Sequence, residues 1–211
     1  MLKYFPNFNL VALVKVVESQ FTLTTTNIIH REIRYDEAKG LLQIDYRNEF
    51  SDEDDALLFI REFINQNNII EVEHKYCVLP KKSRNNGLIK PVFQESLQQY
   101  INIGAKRIFV HAGLNDGGYT WAKYGFAAID KKEVETILNV AKYRLSNSDF
   151  QVVKKIYDFY YTKTPNGKSF PIDLWASLEY MKLILRGSDW HGELDLKNKK
   201  QFRNFMNYVS R

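Results

Sequence analysis

The mix of hydrophobic and polar positions makes residues 27–36 (NIIHREIRYD) and 41–50 (LLQIDYRNEF) β-leaning runs, and the EAKG between them sets a glycine in a tight turn. Two such runs predict a β-hairpin. Then the period changes. Ala56, Leu57, Phe59, Ile60, Phe63 and Ile64 recur at helical spacing behind Ser51 and Asp54, the pattern of a capping box, so a helix is expected that ends near the NQNN run at 65–68. IIEVEHKYCVLP, residues 69–80, reads as a strand that stops at Pro80, which has no amide to donate. The polar loop KKSRNNG, 81–87, opens a helix from about Leu88 to Ile103, which Gly104 closes. RIFVHA, 107–112, reads as a buried strand. Strand, loop, helix and strand make a βαβ unit, which favours a parallel pair with a right-handed crossover.

That unit runs into NDGGYTWAKYGF, residues 115–126, where two adjacent glycines precede Tyr119, Trp121, Tyr124 and Phe126. A core helix does not need a glycine pair, so something is expected to pass close to the backbone. Beyond Phe126, residues 131–145, 148–161 and 172–186 show helical periodicity, TPNGKSFP at 164–171 is a break, and 199–209 is a last amphipathic piece. GSDWHGELDL, 187–196, lies between the last two helices.

Composition narrows the class. The 211 residues are 45% hydrophobic and 14% aromatic, enough for a large core, and no apolar run approaches the roughly 20 residues of a membrane span. Leu10–Val17 is interrupted by Lys15 and followed by Glu18, so it reads as part of the fold and not as a secretory signal. The single cysteine, Cys77, excludes an internal disulfide and points to a reducing, cytoplasmic setting. The net charge is +5, spread over Lys81–Lys82, Lys131–Lys132, Lys154–Lys155 and the KNKK run at 197–200. Scattered charge argues against nucleic acid as a partner and is compatible with an anionic small ligand.

The βαβ unit resembles the cofactor-binding half of the GNAT superfamily, the acetyl-CoA-dependent N-acetyltransferases. The strand YCVLP enters Arg84, Asn85, Asn86, Gly87, Leu88 and Ile89, where the family has a Q/R-x-x-G-x-G/A loop. The helix ESLQQYINIGAKR leads to IFVHAGLN with Asn115, and GYTWAKYGF takes the place of the family's closing A-x-x-L-Y-x-x-x-G-F segment. Ile89 departs from the family's small residue, Trp121 from its tyrosine, and the interval from Asn115 to Gly125 is shorter. A helix between the second and third strands, and helices where the family places its last two strands, are also expected departures. The resemblance implies a mixed α+β sheet of the α/β class, with a GNAT-like core over 1–129 and a helical extension over 130–211 packed on it. It also implies acetyl-CoA, or another acyl-CoA, as cofactor and a small-molecule or protein amine as acceptor. On that implication Cys77, Val78 and Leu79 hold the pantetheine arm through their backbone, and the 84–89 loop grips the diphosphate. Glu73 accepts the amine proton and Tyr119 protonates sulfur.

The chemistry of these residue types is sound without the resemblance. A glycine loop opening a helix bares amides and the positive end of the helix dipole to an anion, and Arg84 adds a forked donor. An ordinary strand-to-helix turn uses the same residues. Tyr119 can give up a proton, whereas an indole such as Trp121 donates but does not titrate. As extended chain, Glu71 and Glu73 share one face of their strand, with His74 and Tyr76 opposite. His111 ends its strand, where ligands bind in open α/β sheets. In SDWHGELDL the alternation puts Asp189, His191, Glu193 and Asp195 on one side and Trp190, Gly192, Leu194 and Leu196 on the other. This reads as an edge strand with a wet face, or as an Asp189–His191 pair serving a toxin-like or mobile-element hydrolase or group-transfer enzyme. A degenerate, non-enzymatic binding protein is the third class. No metal-site spacing is present, and Cys77 in its apolar strand reads as buried and inert.

Overall fold

The predicted hairpin forms β1 (Ile29–Asp36) and β2 (Leu41–Asn48), antiparallel from Ile29 opposite Asn48 to Asp36 opposite Leu41, with Gly40 at φ +58° in the turn. The structure is a computed structural model and describes residues 3–50, 52–84, 86–114 and 116–210; Ser51, Asn85 and Asn115 lie outside them. The chain forms two compact units, residues 1–108 with 209–211 and residues 109–208, and both combine strands with helices in an α/β chain.

In the first unit, α1 (Leu10–Phe21) is capped by Asn9, whose Oδ1 accepts from the Ala12 amide, and it buries Leu13, Val17 and Phe21 at four-residue spacing. The expected helix over 51–64 is a strand, β3 (Leu58–Gln66), antiparallel to β2. Its burial alternates, with Phe59, Arg61 and Phe63 inward, because Leu57 to Ile64 satisfies both periods and pairing with β2 decides the matter. The NQNN run is the turn into β4 (Ile69–Val78), with Asn67 at φ 53° and Asn68 at φ 62°, the left-handed pair of a two-residue hairpin.

The β3–β4 register shifts at Ile60/Arg61: Ile60 faces Tyr76 and Arg61 faces His74, leaving Lys75 as an extra residue. That bulge separates two residues expected on one face, since His74 is buried and Tyr76 is exposed. After a short 3-10 turn at Lys81–Ser83 comes α2 (Lys90–Asn102), and then β5 (Arg107–His111), whose first residues neighbour β4 in this unit. The Lys106 amide donates to Ile70 O at 2.8 Å, and Arg107 pairs with Glu71 at 2.6 Å.

The second unit begins with the end of β5. It continues through α3 (Gly117–Lys123), β6 (Ala127–Ala128), α4 (Lys131–Arg144) and α5 (Asn147–Lys163). The helix expected over 172–186 is broken into α6 (Asp173–Ala176), a 3-10 turn and α7 (Lys182–Arg186). The chain ends in β7 (His191–Asp195) and α8 (Lys199–Val209). Two expectations change here. Strands do follow α3: β6 and β7 are antiparallel, Ala127 opposite Glu193 and Ala128 opposite Gly192. And β7 is not an edge strand, because it lies between β6 and the end of β5. Helical periodicity between the two strands conceals a pair whose members are 64 residues apart, counting from Ala128 to Gly192. Phe126, Phe170, Trp175, Trp190 and Phe205 are fully buried around them.

Candidate functional site

Two groups of candidates can be built from the residues upward, one in each unit. In the first, β4 runs out at Val78, and Cys77, Val78 and Leu79 are half-buried. Arg84 turns back, its Nε donating to Leu79 O at 2.8 Å, while Ser83 Oγ donates to Thr24 O at 2.9 Å in the interior. Lys81 and Lys82 are held by Asp54 and Asp55 at 2.8 and 3.8 Å. Asn86 Oδ1 accepts from the Leu88 amide at 3.3 Å. Gly87 has φ +80°, and among the described residues a Cβ built there would meet only Lys90 Cδ, at 4.0 Å. Ile89 is half-buried at the helix start, where Pro91 follows without an amide to offer. The turn is thus tied down by Arg84 and Asn86, with open space over Gly87 among the described residues.

Glu73 shares a cation with its cross-strand partner Glu62: Lys75 Nζ lies 2.8 Å from Glu73 and 3.5 Å from Glu62. Inward from this strand the side chains are unusual. Arg61 is 1% exposed, and Nη1 donates to Ile60 O and Tyr76 O at 2.9 and 2.8 Å. Its Nε and Nη2 have no hydrogen-bond partner among the described residues, and the guanidinium lies 4.0 Å over the Phe59 ring. His74 Nε2 is 2.8 Å from Tyr100 Oη. Burial, and then the Arg61 charge, hold the His74 pKa well below its ordinary value, so the ring is neutral. Cys77 keeps part of its surface and is not fully buried; desolvation raises its thiol pKa, against the opposing pull of Arg61. The assignment of 51–64 as helix hid Arg61, which had no chemical reason to stand out until it pointed inward.

In the second unit the aromatic stretch divides. Trp121 is buried, 5.2 Å from Phe126 and 5.6 Å from Tyr124, and Trp121 and Phe126 are core, while the half-buried Tyr124 stacks on the half-buried Tyr208 at 3.4 Å. Tyr119 is half-buried apart from them, with Lys123, Lys182 and Arg186 lying 5.4, 5.9 and 6.0 Å from its ring centre.

The DWHGELD segment joins this surface, with different partners from those expected. Asp189 pairs with His111, Oδ1 to Nε2 at 2.5 Å, and not with His191. His191 Nδ1 lies 2.7 Å from Glu133 Oε1, and its backbone amide donates to Glu133 Oε2 at 2.7 Å. The two imidazoles stack, centroids 4.4 Å apart and planes 1° from parallel, because His111 on β5 and His191 on β7 stand side by side on neighbouring strands. An open cleft of about 250 Å³ adjoins them, lined by Gly113, Arg186, Gly187, Ser188 and Asp189. Arg186 Nε lies 3.0 Å from Asp116.

Glu133 and Arg186 were missed by sequence reasoning. Asp130 and Glu133 have capping-box spacing at the start of α4, and Asp130 does cap Lys132, but Glu133 reaches His191 instead of returning to the cap. Nothing local in the sequence marks Arg186. The Glu193 carboxylate accepts from Ser169 Oγ. Among the described residues no group of three or more His, Cys, Asp or Glu is placed to hold a metal ion, and no helix is long and apolar enough to cross a membrane. Comparison with family models, curated proteins and solved structures gives no match.

Proposed function

We propose that this chain is an acyl-CoA-dependent N-acyltransferase whose first unit binds the cofactor. The observation that carries the reading is Gly87 at φ +80°, uncovered on its side-chain face, immediately before α2 and after the strand end at Val78. A glycine in that conformation lets a ligand come close to the backbone, and the helix start adds its dipole, so a diphosphate can approach closely. Arg84 is anchored through Nε to Leu79 O, which leaves the rest of its fork for phosphate oxygens. Strand order supports the same reading: the antiparallel run β1 to β4 ends in this loop, and β5 follows α2 beside β4. The backbone of Cys77, Val78 and Leu79 then holds the pantetheine arm, and Glu73 serves as base once Lys75 releases it. A small-molecule or protein amine is the acceptor.

Calorimetric titration of the full chain with acetyl-CoA and with CoA tests this. Saturable binding, with a raised melting temperature in the wild type and a loss of at least tenfold in affinity in Arg84→Gln, is the expected result. Absence of binding to both would overturn the proposal.

A further inference from the structure

The second unit holds a constellation that acyl-CoA binding does not use. His111 and His191 each give one ring nitrogen to a carboxylate, Asp189 and Glu133 respectively, at 2.5 and 2.7 Å. Each carboxylate fixes the tautomer, so His111 Nδ1 and His191 Nε2 carry the lone pairs when the rings are neutral. Those two nitrogens have no protein partner among the described residues, and both side chains are about half exposed, at 51% and 52%. The rings are stacked 4.4 Å apart. An imidazole can give or take a proton at a free ring nitrogen, so two side by side can serve as acid and base. The charged groups facing them are Asp189 from the turn before β7, Glu133 from α4, and Arg186 and Asp116 at the cleft.

We propose that the stacked pair His111 and His191 is a second catalytic site, which hydrolyses a phosphate diester bound with its phosphoryl oxygens against Arg186. The charge balance selects the ester. Arg186 stands beside three carboxylates, Asp189, Glu133 and Asp116, which oppose the dianion of a monoester more than the single negative charge of a diester. In the reaction, water oxygen bonds to phosphorus as the neutral imidazole takes a water proton. The phosphorus–oxygen ester bond breaks, and the departing alkoxide takes the proton of the imidazolium. The products are an alcohol and a phosphate monoester, and the pair returns with its single proton on the other ring. Asp189 and Glu133 are positioning residues. Gly113 admits the first of them, since a Cβ there would stand 3.1 Å from both Asp189 Oδ1 and His111 Nε2.

The test is turnover of bis(p-nitrophenyl) phosphate and of p-nitrophenyl phosphate by the full chain, in the presence of a chelator. The diester is expected to be hydrolysed with a bell-shaped pH profile and the monoester at least tenfold more slowly. His111→Gln and His191→Gln are each expected to lose at least a hundredfold in kcat. Asp189→Asn should lower kcat and distort the pH profile with little change in KM, whereas Arg186→Gln should raise KM. Because these side chains are half exposed, melting temperatures should stay within a few degrees of wild type. Arg84→Gln should retain diester turnover, so loss of the acyl-CoA reading leaves this one standing. No diester turnover, turnover that survives both histidine substitutions, or a preference for the monoester would overturn it.

Discussion

Gly118 lies against Ser188 with no room for a side chain: a Cβ on Gly118 would overlap the Ser188 hydroxyl and the Leu185 carbonyl oxygen. The glycine pair in α3 therefore has one structural partner, the C-terminal end of α7. Its neighbour Gly117 is different, since a Cβ there would meet Ala112 backbone atoms at an ordinary 3.5–3.7 Å. Gly118→Ala is expected to cost about 3 kcal/mol, the range for overpacking against atoms that cannot yield. Gly117→Ala should be neutral or stabilise by up to about 1 kcal/mol, as helix propensity dictates. Urea unfolding of the two variants checks the contrast. Equal effects would mean that the α3–α7 approach is looser than described.

Arg61 supplies a second contrast. Its guanidinium is buried with two nitrogens that lack a hydrogen-bond partner among the described residues, and two carbonyl oxygens and the Phe59 and Phe93 rings are among the groups that offset its burial. A buried cation without a carboxylate is costly, and a hydrophobic residue of similar length often improves on it. Arg61→Met should raise stability by about 1–2 kcal/mol, whereas Arg61→Ala, which leaves a cavity, should lower it. Thermal melts of both variants decide this; a large loss in Arg61→Met would show that the guanidinium is held by more than these groups.

The neutral imidazole of His74 makes the first unit sensitive to acid. Its folded pKa lies well below the ordinary 6.5. The unfolded chain therefore takes up a proton as pH falls through 6.5 while the folded chain does not. The sign is fixed: stability is fully present above about pH 7 and declines as pH drops toward the folded value. The loss approaches about 1.4 kcal/mol per pH unit. Between pH 7 and pH 5 this single group should lower the stability of the wild type. His74→Gln cannot take up that proton, so its urea midpoint should fall less over the same interval. If the two chains lose equal stability on acidification, His74 is not the group responsible.

The sequence made local order legible wherever one period dominated. Residues 69–80 read as β4, the polar loop and helix as α2, and 107–112 as β5, each displaced by only a residue or two. The 187–196 alternation likewise placed Trp190 and Leu194 inside, and both are buried. Where two periods coexisted, as from Leu57 to Ile64, only pairing with β2 selected the strand. Of the candidate chemistry, residue types were legible and partnerships were not. Asp189 and His191 sit two apart on one side of an extended chain, yet each finds its partner in a distant segment, 78 residues away for His111 and 58 for Glu133. Such a pairing depends on which strands become neighbours, and no local pattern carries that.

The turn at Asn67 and Asn68 shows how a missed signal becomes a stability prediction. Both residues adopt left-handed backbone, φ 53° and 62°, which asparagine tolerates better than other non-glycine residues but still at a cost. A two-residue hairpin with positive φ at both positions prefers glycine in the second place. Asn68→Gly is therefore expected to stabilise the β3–β4 hairpin by about 0.5–1 kcal/mol. Asn68→Val, with a branched side chain forced into the same conformation, should cost about 1–3 kcal/mol. Because β3 and β4 form the inward row of Phe59, Arg61, Phe63, Val72 and His74, the effect should reach the whole first unit. Amide exchange gives the readout: protection of β3 and β4 should rise in the glycine variant and fall in the valine variant. Unchanged protection in both would show that pairing within the strands, rather than the turn, sets the register.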